Sequence, residues 1–148
     1  MYSNKIKYIG CDDADLELFE SQYDLPEGMC YNSYLLQGEK IAVMDSVDPR
    51  KQEEWLANLK QALNGRKPDY LVAHHMEPDH SGSIRAFIKA YPEATIVASK
   101  QAFTFMTQFG IEATNTLIIK EGDELSLGGL TMQFIAAPMI HWTEVMMT

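Results

Sequence analysis

The sequence predicts an α/β (α+β) fold, a mixed sheet flanked by helices, and three observations carry that prediction. Strand-like segments come in pairs over the first 44 residues. A strand–helix alternation takes over from Tyr70. Between them lies one apolar stripe at helical spacing. Strand pairs followed by β/α units imply a sheet that needs cover on both faces.

Lys5 to Ile9 and Leu16 to Ser21 alternate apolar and polar residues in part and read as paired strands. Leu25-Pro26-Glu27-Gly28 is turn chemistry. Tyr34 to Gln37 and Lys40 to Met44 form a hairpin around Gly38 and Glu39, and Asp45 ends its second strand. Pro49 leads into a helix from Lys51 to Leu63, with Trp55, Leu56, Leu59 and Leu63 on one face. Asn64-Gly65 stops it. Strands follow at Tyr70 to Ala73, Thr95 to Ala98 and Thr116 to Ile119, with helices at Ser83 to Tyr91 and Gln101 to Phe109. His74 to Gly82 is a loop, and Lys120 to Gly129 is rich in turns. Thr131 to Ala136 is the last predicted strand, before a loop that Pro138 opens and that carries His141. The tail from Glu144 has no closing helix and reads as a chain crossing the core.

Composition narrows the function classes. Apolar residues make up 46% of the 148 residues and charged residues 22%, an ordinary globular mix. Formal net charge is -9, with no Lys/Arg cluster, so nucleic acid and anionic membranes are poor partners. No apolar run reaches the length of a membrane span. Residues 1–8 have no apolar stretch, so no signal peptide is expected. Cys11 and Cys30 form no CxxC motif and read as small buried hydrophobes. A reducing cytoplasm fits.

The chemistry concentrates in His75-Met76-Glu77-Pro78-Asp79-His80. Four metal-ligating side chains fall within six residues, after an apolar strand and before a helix. Open α/β sheets place ligands at such strand ends. In an extended loop, His75, Glu77 and Asp79 point to one side and His80 to the other. That suits two ions about 3.5–4 Å apart, one held by His75 and Glu77, the other by Asp79 and His80. No thiolate is near, so structural zinc is disfavoured. Imidazole with carboxylate suits iron, manganese or zinc in an open site, and the carboxylate favours redox iron. His141 is a third ligand for the first ion, against the plainer reading of a core histidine. His74 reads as a supporting or surface residue.

The HxExDH pattern at 75–80 resembles the flavodiiron proteins (A-type flavoproteins), a branch of the metallo-β-lactamase superfamily. Hydrolases of that superfamily show HxHxDH, and Glu77 stands where they have the second histidine. Tyr31-Asn32-Ser33-Tyr34 resembles the family's early strand, Lys40 to Val47 its next strand and Asp turn, and His141-Trp142 its His-Trp pair. Thr143 stands where proline is usual. The resemblance implies a metallo-β-lactamase-like αββα sandwich, with residues 1–148 as the amino-terminal portion of the diiron domain. It implies that His75, Glu77 and His141 bind one iron, that Asp79 and His80 bind the other, and that Tyr31, His74 and Trp142 surround them. The family's bridging Asp, its later His and its flavodoxin-like FMN domain are expected to lie outside this chain. The implied reaction is reduction of O2 to water or of NO to N2O. Electrons would come from a rubredoxin-like donor or F420 through FMN, in a homodimer or higher homo-oligomer. A binuclear hydrolase and a non-catalytic metal-binding fragment are the competing readings. Weak second-ion binding and exposed apolar surface around Val145 to Met147 are further expectations.

Overall fold

The computed structural model describes residues 4–148; part of the segment read above for a leader lies outside them. A six-stranded sheet forms the centre, built from β1 (Ile6–Tyr8), β6 (Tyr34–Gln37), β7 (Ile41–Met44), β8 (Tyr70–Ala73), β9 (Thr95–Ser99) and β10 (Thr116–Ile119), in that order. The first three are antiparallel neighbours, and β7 to β10 run parallel. The sheet is therefore mixed, as the change of rhythm at Tyr70 requires. The parallel strands β7 to β9 are buried on both faces, which explains why they read as continuous runs rather than alternations.

Side chains alternate across these strands, so each strand feeds two cores. Ile41, Val43, Leu71, Ala73, Ile96 and Ala98 face the helical layer. That layer holds α1 (Gln52–Leu63), α3 (Ile84–Ala90) and α4 (Lys100–Gln108). Trp55, Leu59, Phe87 and Met106 project from it and are fully or almost fully buried. Ala42, Met44, Val72, Val97 and Ile119 face the opposite side, where Leu127, Met132, Phe134 and Met146 cover them. The cover there is made of short β pairs. One is β11 (Glu124–Ser126) with β12 (Thr131–Gln133); the other is β13 (Ile135–Ala136) with β14 (Met146–Met147).

The amino-terminal pairing differs from the expectation. Ile6–Tyr8 pairs with β6, not with the segment from Leu16 to Ser21. That segment supplies only β3 (Leu18–Phe19), which folds back on β4 (Tyr23–Asp24) through left-handed Glu20 (φ 51°) and Ser21 (φ 61°). A third pair, β2 (Cys11–Asp13) with β5 (Met29–Tyr31), carries no apolar alternation that a sequence reading could detect. Its register puts Cys11 opposite Tyr31 on the buried side and Cys30 opposite Asp12 on the exposed side. Cys30 is therefore not the buried hydrophobe expected. Phe134 splits the predicted strand 131–136 in two. The tail does not cross the core: Met146 is buried on the sheet, while Met147 points outward opposite Ile135.

Asn64 ends α1 in the left-handed conformation, φ 47°, with its N–H on the Gln61 carbonyl. Asparagine tolerates that conformation better than residues lacking its short polar side chain. Asn64→Ala is expected to lower stability by about 1–2 kcal/mol, and Asn64→Gly by much less. Equilibrium urea unfolding of the two variants measures the difference.

Candidate metal centre

The parallel strand β8 delivers the site. Past Ala73 the chain bends at His74, and from Glu77 (φ -61°, ψ 145°) Pro78 starts a one-turn helix, α2 (Pro78–Ser81). Proline suits a first helical position because its fixed φ is helical and its missing N–H would have no partner there. The turn corrects the extended-loop expectation. Asp79 lies on this turn, next to His80. Gly82 closes α2 where a Cβ would collide with the Pro49 ring and the Pro78 carbonyl. Ser81 Oγ donates to the Met76 carbonyl (2.8 Å) and Ser46 Oγ to the His80 carbonyl (2.7 Å), tying the loop to its neighbours.

Three donor groups meet at one point. His75 Nε2 lies 2.9 Å and His141 Nε2 2.7 Å from the same oxygen, Glu77 Oε2. The ligand atoms of His75, Glu77 and His141 all fall within 4.8 Å of one another. His75 and Glu77 are buried, while the His141 side chain is 58% exposed and closes the cluster from the last loop. Asp79 and His80 stand just beside it: the His80 ring centroid is 5.2 Å from that of His75, and His80 Nε2 is 3.6 Å from Asp79 Oδ2. Asp79 Oδ1 is buried without a hydrogen-bond partner. A carboxylate oxygen in that state costs free energy unless something positive reaches it. Nitrogen and oxygen donors converging on one point, with a second unsatisfied carboxylate alongside, fit two hard cations.

The ionisation of the cluster follows from its contacts. Burial pushes Glu77 up, yet hydrogen bonds with His141, His75 and Glu20 outweigh it and leave its carboxyl below the usual range. Burial raises Asp79. Burial also opposes the charged form of Asp45, but the His74 and His80 rings against it hold this carboxyl well below the ordinary value.

Trp142 stands edge-on to His75, ring centroids 5.0 Å apart at 89°, and packs on Phe105. His74 is half-buried, with Nδ1 3.1 Å from Asp45 Oδ2 and Nε2 3.1 Å from Thr148 Oγ1. Tyr31 is buried and donates to Asp13 Oδ2 (3.4 Å), which also accepts from Arg50 Nε (2.8 Å). Arg50 holds the Asp13 carboxyl below its usual range, against the effect of burial. A depressed carboxylate stabilises the fold above its unfolded pKa of about 3.9 and loses that contribution as pH falls through the folded value. The melting temperature should therefore drop on acidification below about pH 4, and Asp13→Asn should show a smaller part of that drop. Calorimetry across an acid series compares the two.

Three residues near the cluster escaped the sequence reading. Glu144 is 2% exposed, and its Oε1 accepts from the Met76 N–H (3.0 Å) and meets His75 Nδ1 (2.7 Å). Asp45, read only as a strand end, binds His74 and His80. Glu20, at the tip of the β3–β4 hairpin, reaches Glu77. A buried metal-binding histidine commonly gives its other N–H to a carboxylate, but nothing in the sequence singles out Glu144 as that partner.

A sheet with helices on one face, short β pairs on the other and this cluster at a parallel strand end define a metallo-β-lactamase-like metal-binding domain. The ODP family beta lactamase description matches residues 29–148, and the chain belongs to that family, within the flavodiiron proteins. It is 36% identical over 137 residues to Diflavin flavoprotein A 1 of Synechocystis, covering 92% of this chain and 24% of that one. It is 34% identical over 145 residues to the nitric oxide reductase of Moorella thermoacetica, covering 97% of this chain and 36% of the relative. Rubredoxin oxygen:oxidoreductase from Desulfovibrio gigas superposes with a TM-score of 0.91 at 29% identity, over 99% of this chain and 37% of that structure. The chain thus spans between a quarter and just over a third of the length of these relatives.

Proposed function

We propose that this chain is the iron-binding part of a flavodiiron oxidoreductase that reduces O2 to water, NO to N2O, or both. The observation that supports this most directly is the shared Glu77 oxygen between His75 and His141. A carboxylate stands there in place of the second histidine of the hydrolase pattern. Its negative charge favours an ion that cycles to higher oxidation states over zinc. His75, Glu77 and His141 would hold the first iron, and Asp79 and His80 the second. A bound pair of ferrous ions supplies electrons to one diatomic molecule from two adjacent metals.

The chain's own residues prepare that place. Glu144 fixes the tilt of the His75 ring from behind, and Trp142 shields its flank from water. Glu77 offsets the positive charge of the ion with a carboxylate that is already ionised in the mildly acidic range. His141 sits on the solvent side, so the cluster opens through the loop from Pro138 to Trp142, where Met139 and Ile140 are exposed. The whole protein would take electrons from a rubredoxin-like donor or F420 through FMN, and would work as a homodimer or higher homo-oligomer. A reducing cytoplasm would fit a chain whose two cysteines form no disulfide. Among the described residues no helix is long and apolar enough to cross a membrane.

Anaerobic loading of the chain with Fe(II), in competition with Zn(II), tests the reading. Tight uptake of one iron and weaker uptake of a second, by elemental analysis, is the expected result. Three ligands serve the first ion and two the second, and a hard cation held by only two protein groups stays largely hydrated. Zinc alone after iron-replete anaerobic growth would move the assignment to a binuclear hydrolase. Uptake of neither metal would leave a non-catalytic fragment.

A further inference from the structure

We infer that Asp45 is a positioning residue that holds His80 in the tautomer whose Nε2 lone pair is offered to the second ion. The inference rests on the two-ion reading above and extends it. Asp45 follows β7 with a left-handed backbone, φ 55°, a conformation that aspartate and asparagine accept more readily than most residues. The frame around it is fixed. Its N–H donates to the Val72 carbonyl (2.8 Å), and its own carbonyl accepts from Ser33 Oγ (2.9 Å). Ser33 Oγ in turn accepts from Trp55 Nε1 (3.0 Å), at the centre of the helical core.

The carboxylate meets three nitrogen atoms. Oδ1 accepts from the His74 backbone N–H (2.7 Å), and Oδ2 lies 3.1 Å from His74 Nδ1 and 3.3 Å from His80 Nδ1. An ionised carboxylate only accepts hydrogen bonds, so each neutral ring must carry its hydrogen on Nδ1 and its lone pair on Nε2. From there the two rings diverge. The Nε2 lone pair of His74 accepts from Thr148 Oγ1 at 3.1 Å. The Nε2 lone pair of His80 faces Asp79 Oδ2 at 3.6 Å, beyond a hydrogen bond, and Asp79 Oδ1 has no partner. In the neutral ring these two electron-rich atoms repel across that gap unless a cation lies between them; otherwise a proton on His80 must fill it. One carboxylate thus makes a ligand of one imidazole while the adjacent one is occupied elsewhere. Glu144 plays the corresponding part for His75, so the two halves of the centre have separate orienting groups.

Long-range 1H–15N NMR of the metal-free chain, at alkaline pH where imidazoles are neutral, reads the tautomers directly. The Nδ1–H form of both His74 and His80 is expected. Asp45→Asn keeps the shape and tolerates the left-handed backbone, but its amide offers one accepting oxygen and places N–H groups where the other oxygen stood. At least one ring should then turn to the Nε2–H form. In Co(II) titrations followed by d–d absorption, the second ion should bind about 10–100-fold more weakly to Asp45→Asn, with the first unchanged. His80→Gln should abolish the second ion, and His74→Gln should keep it. An Nε2–H tautomer at His80 in the unsubstituted chain overturns the inference. So does an Asp45→Asn chain that folds and binds both ions as before, or loss of the second ion in His74→Gln. If the unsubstituted chain binds only one Co(II), the two-ion reading fails, while the His80 tautomer still decides the role of Asp45.

Discussion

Replacing Glu77 by alanine is expected to weaken binding of the first metal ion by more than the roughly 10–100-fold typical of losing a group one step removed from a metal. Glu77 Oε2 is the atom on which both His75 Nε2 and His141 Nε2 converge. The truncation removes the only charged donor of the trio and leaves two neutral imidazoles, a set with less preference for an oxidised iron. The fold should survive. Glu77 caps α2 without a side-chain hydrogen bond, and the turn is held by its carbonyl, which accepts from the His80 and Ser81 N–H groups at 2.9 Å each. The measurement is Fe(II) competition against a chelator of known affinity under anaerobic conditions. Near-native affinity in Glu77→Ala would remove this residue from the proposed ligand set. Glu77→His is the instructive companion: it recreates the hydrolase pattern and should shift the preference of the site from iron towards zinc.

The sheet was legible in the sequence wherever strands are buried on both faces. Tyr70–Ala73 begins and ends where its apolar run does, because a strand covered on both sides has no polar alternation to blur its limits. Short pairs at the periphery were not legible. Cys11–Asp13 contains two acids, one of them buried only because Arg50 and Tyr31 reach it from elsewhere in the chain. No local pattern encodes a tertiary ion pair. Likewise the ligand spacing announced the metal loop, but a helical turn of four residues leaves no periodicity to read, and so 78–81 was read as extended loop. His141 alone would read as a core histidine; the dense motif at 75–80 turned that reading towards a ligand, and the contact with Glu77 agrees with it. Asp45 and Glu144 sit in ordinary sequence surroundings, and their importance emerges only from the partners that folding brings to them.

Glu144 carries the second large expected effect, on stability and on metal binding together. Its Oε1 accepts from the Met76 N–H and from His75 Nδ1, its backbone carbonyl accepts from Ser99 Oγ (3.2 Å), and its residue is 2% exposed. Glu144→Ala strips the partner from a buried backbone N–H and from a buried ring N–H, each costing about 1–3 kcal/mol when left unmade. Water entering the gap can recover part of that loss, so an overall cost of roughly 2–4 kcal/mol is expected in the metal-free chain. His75 is also freed to rotate or to exchange tautomers, which takes Nε2 off the line to Glu77 and should lower first-ion affinity by about 10–100-fold. Glu144→Gln separates the two effects. Its amide oxygen can keep both hydrogen bonds, so His75 should retain its tautomer and stability should fall less. Its N–H groups then occupy the position of Oε2, which has no partner among the described residues. The loss of negative charge behind His75 makes that imidazole a weaker donor, and affinity should fall between the unsubstituted chain and Glu144→Ala. Thermal melts and chelator competition on the same three proteins give the order. An alanine variant as stable and as tightly metal-bound as the original would show that His75 is held by Trp142 and the β8 backbone alone, and that Glu144 is buried for packing rather than for the metal.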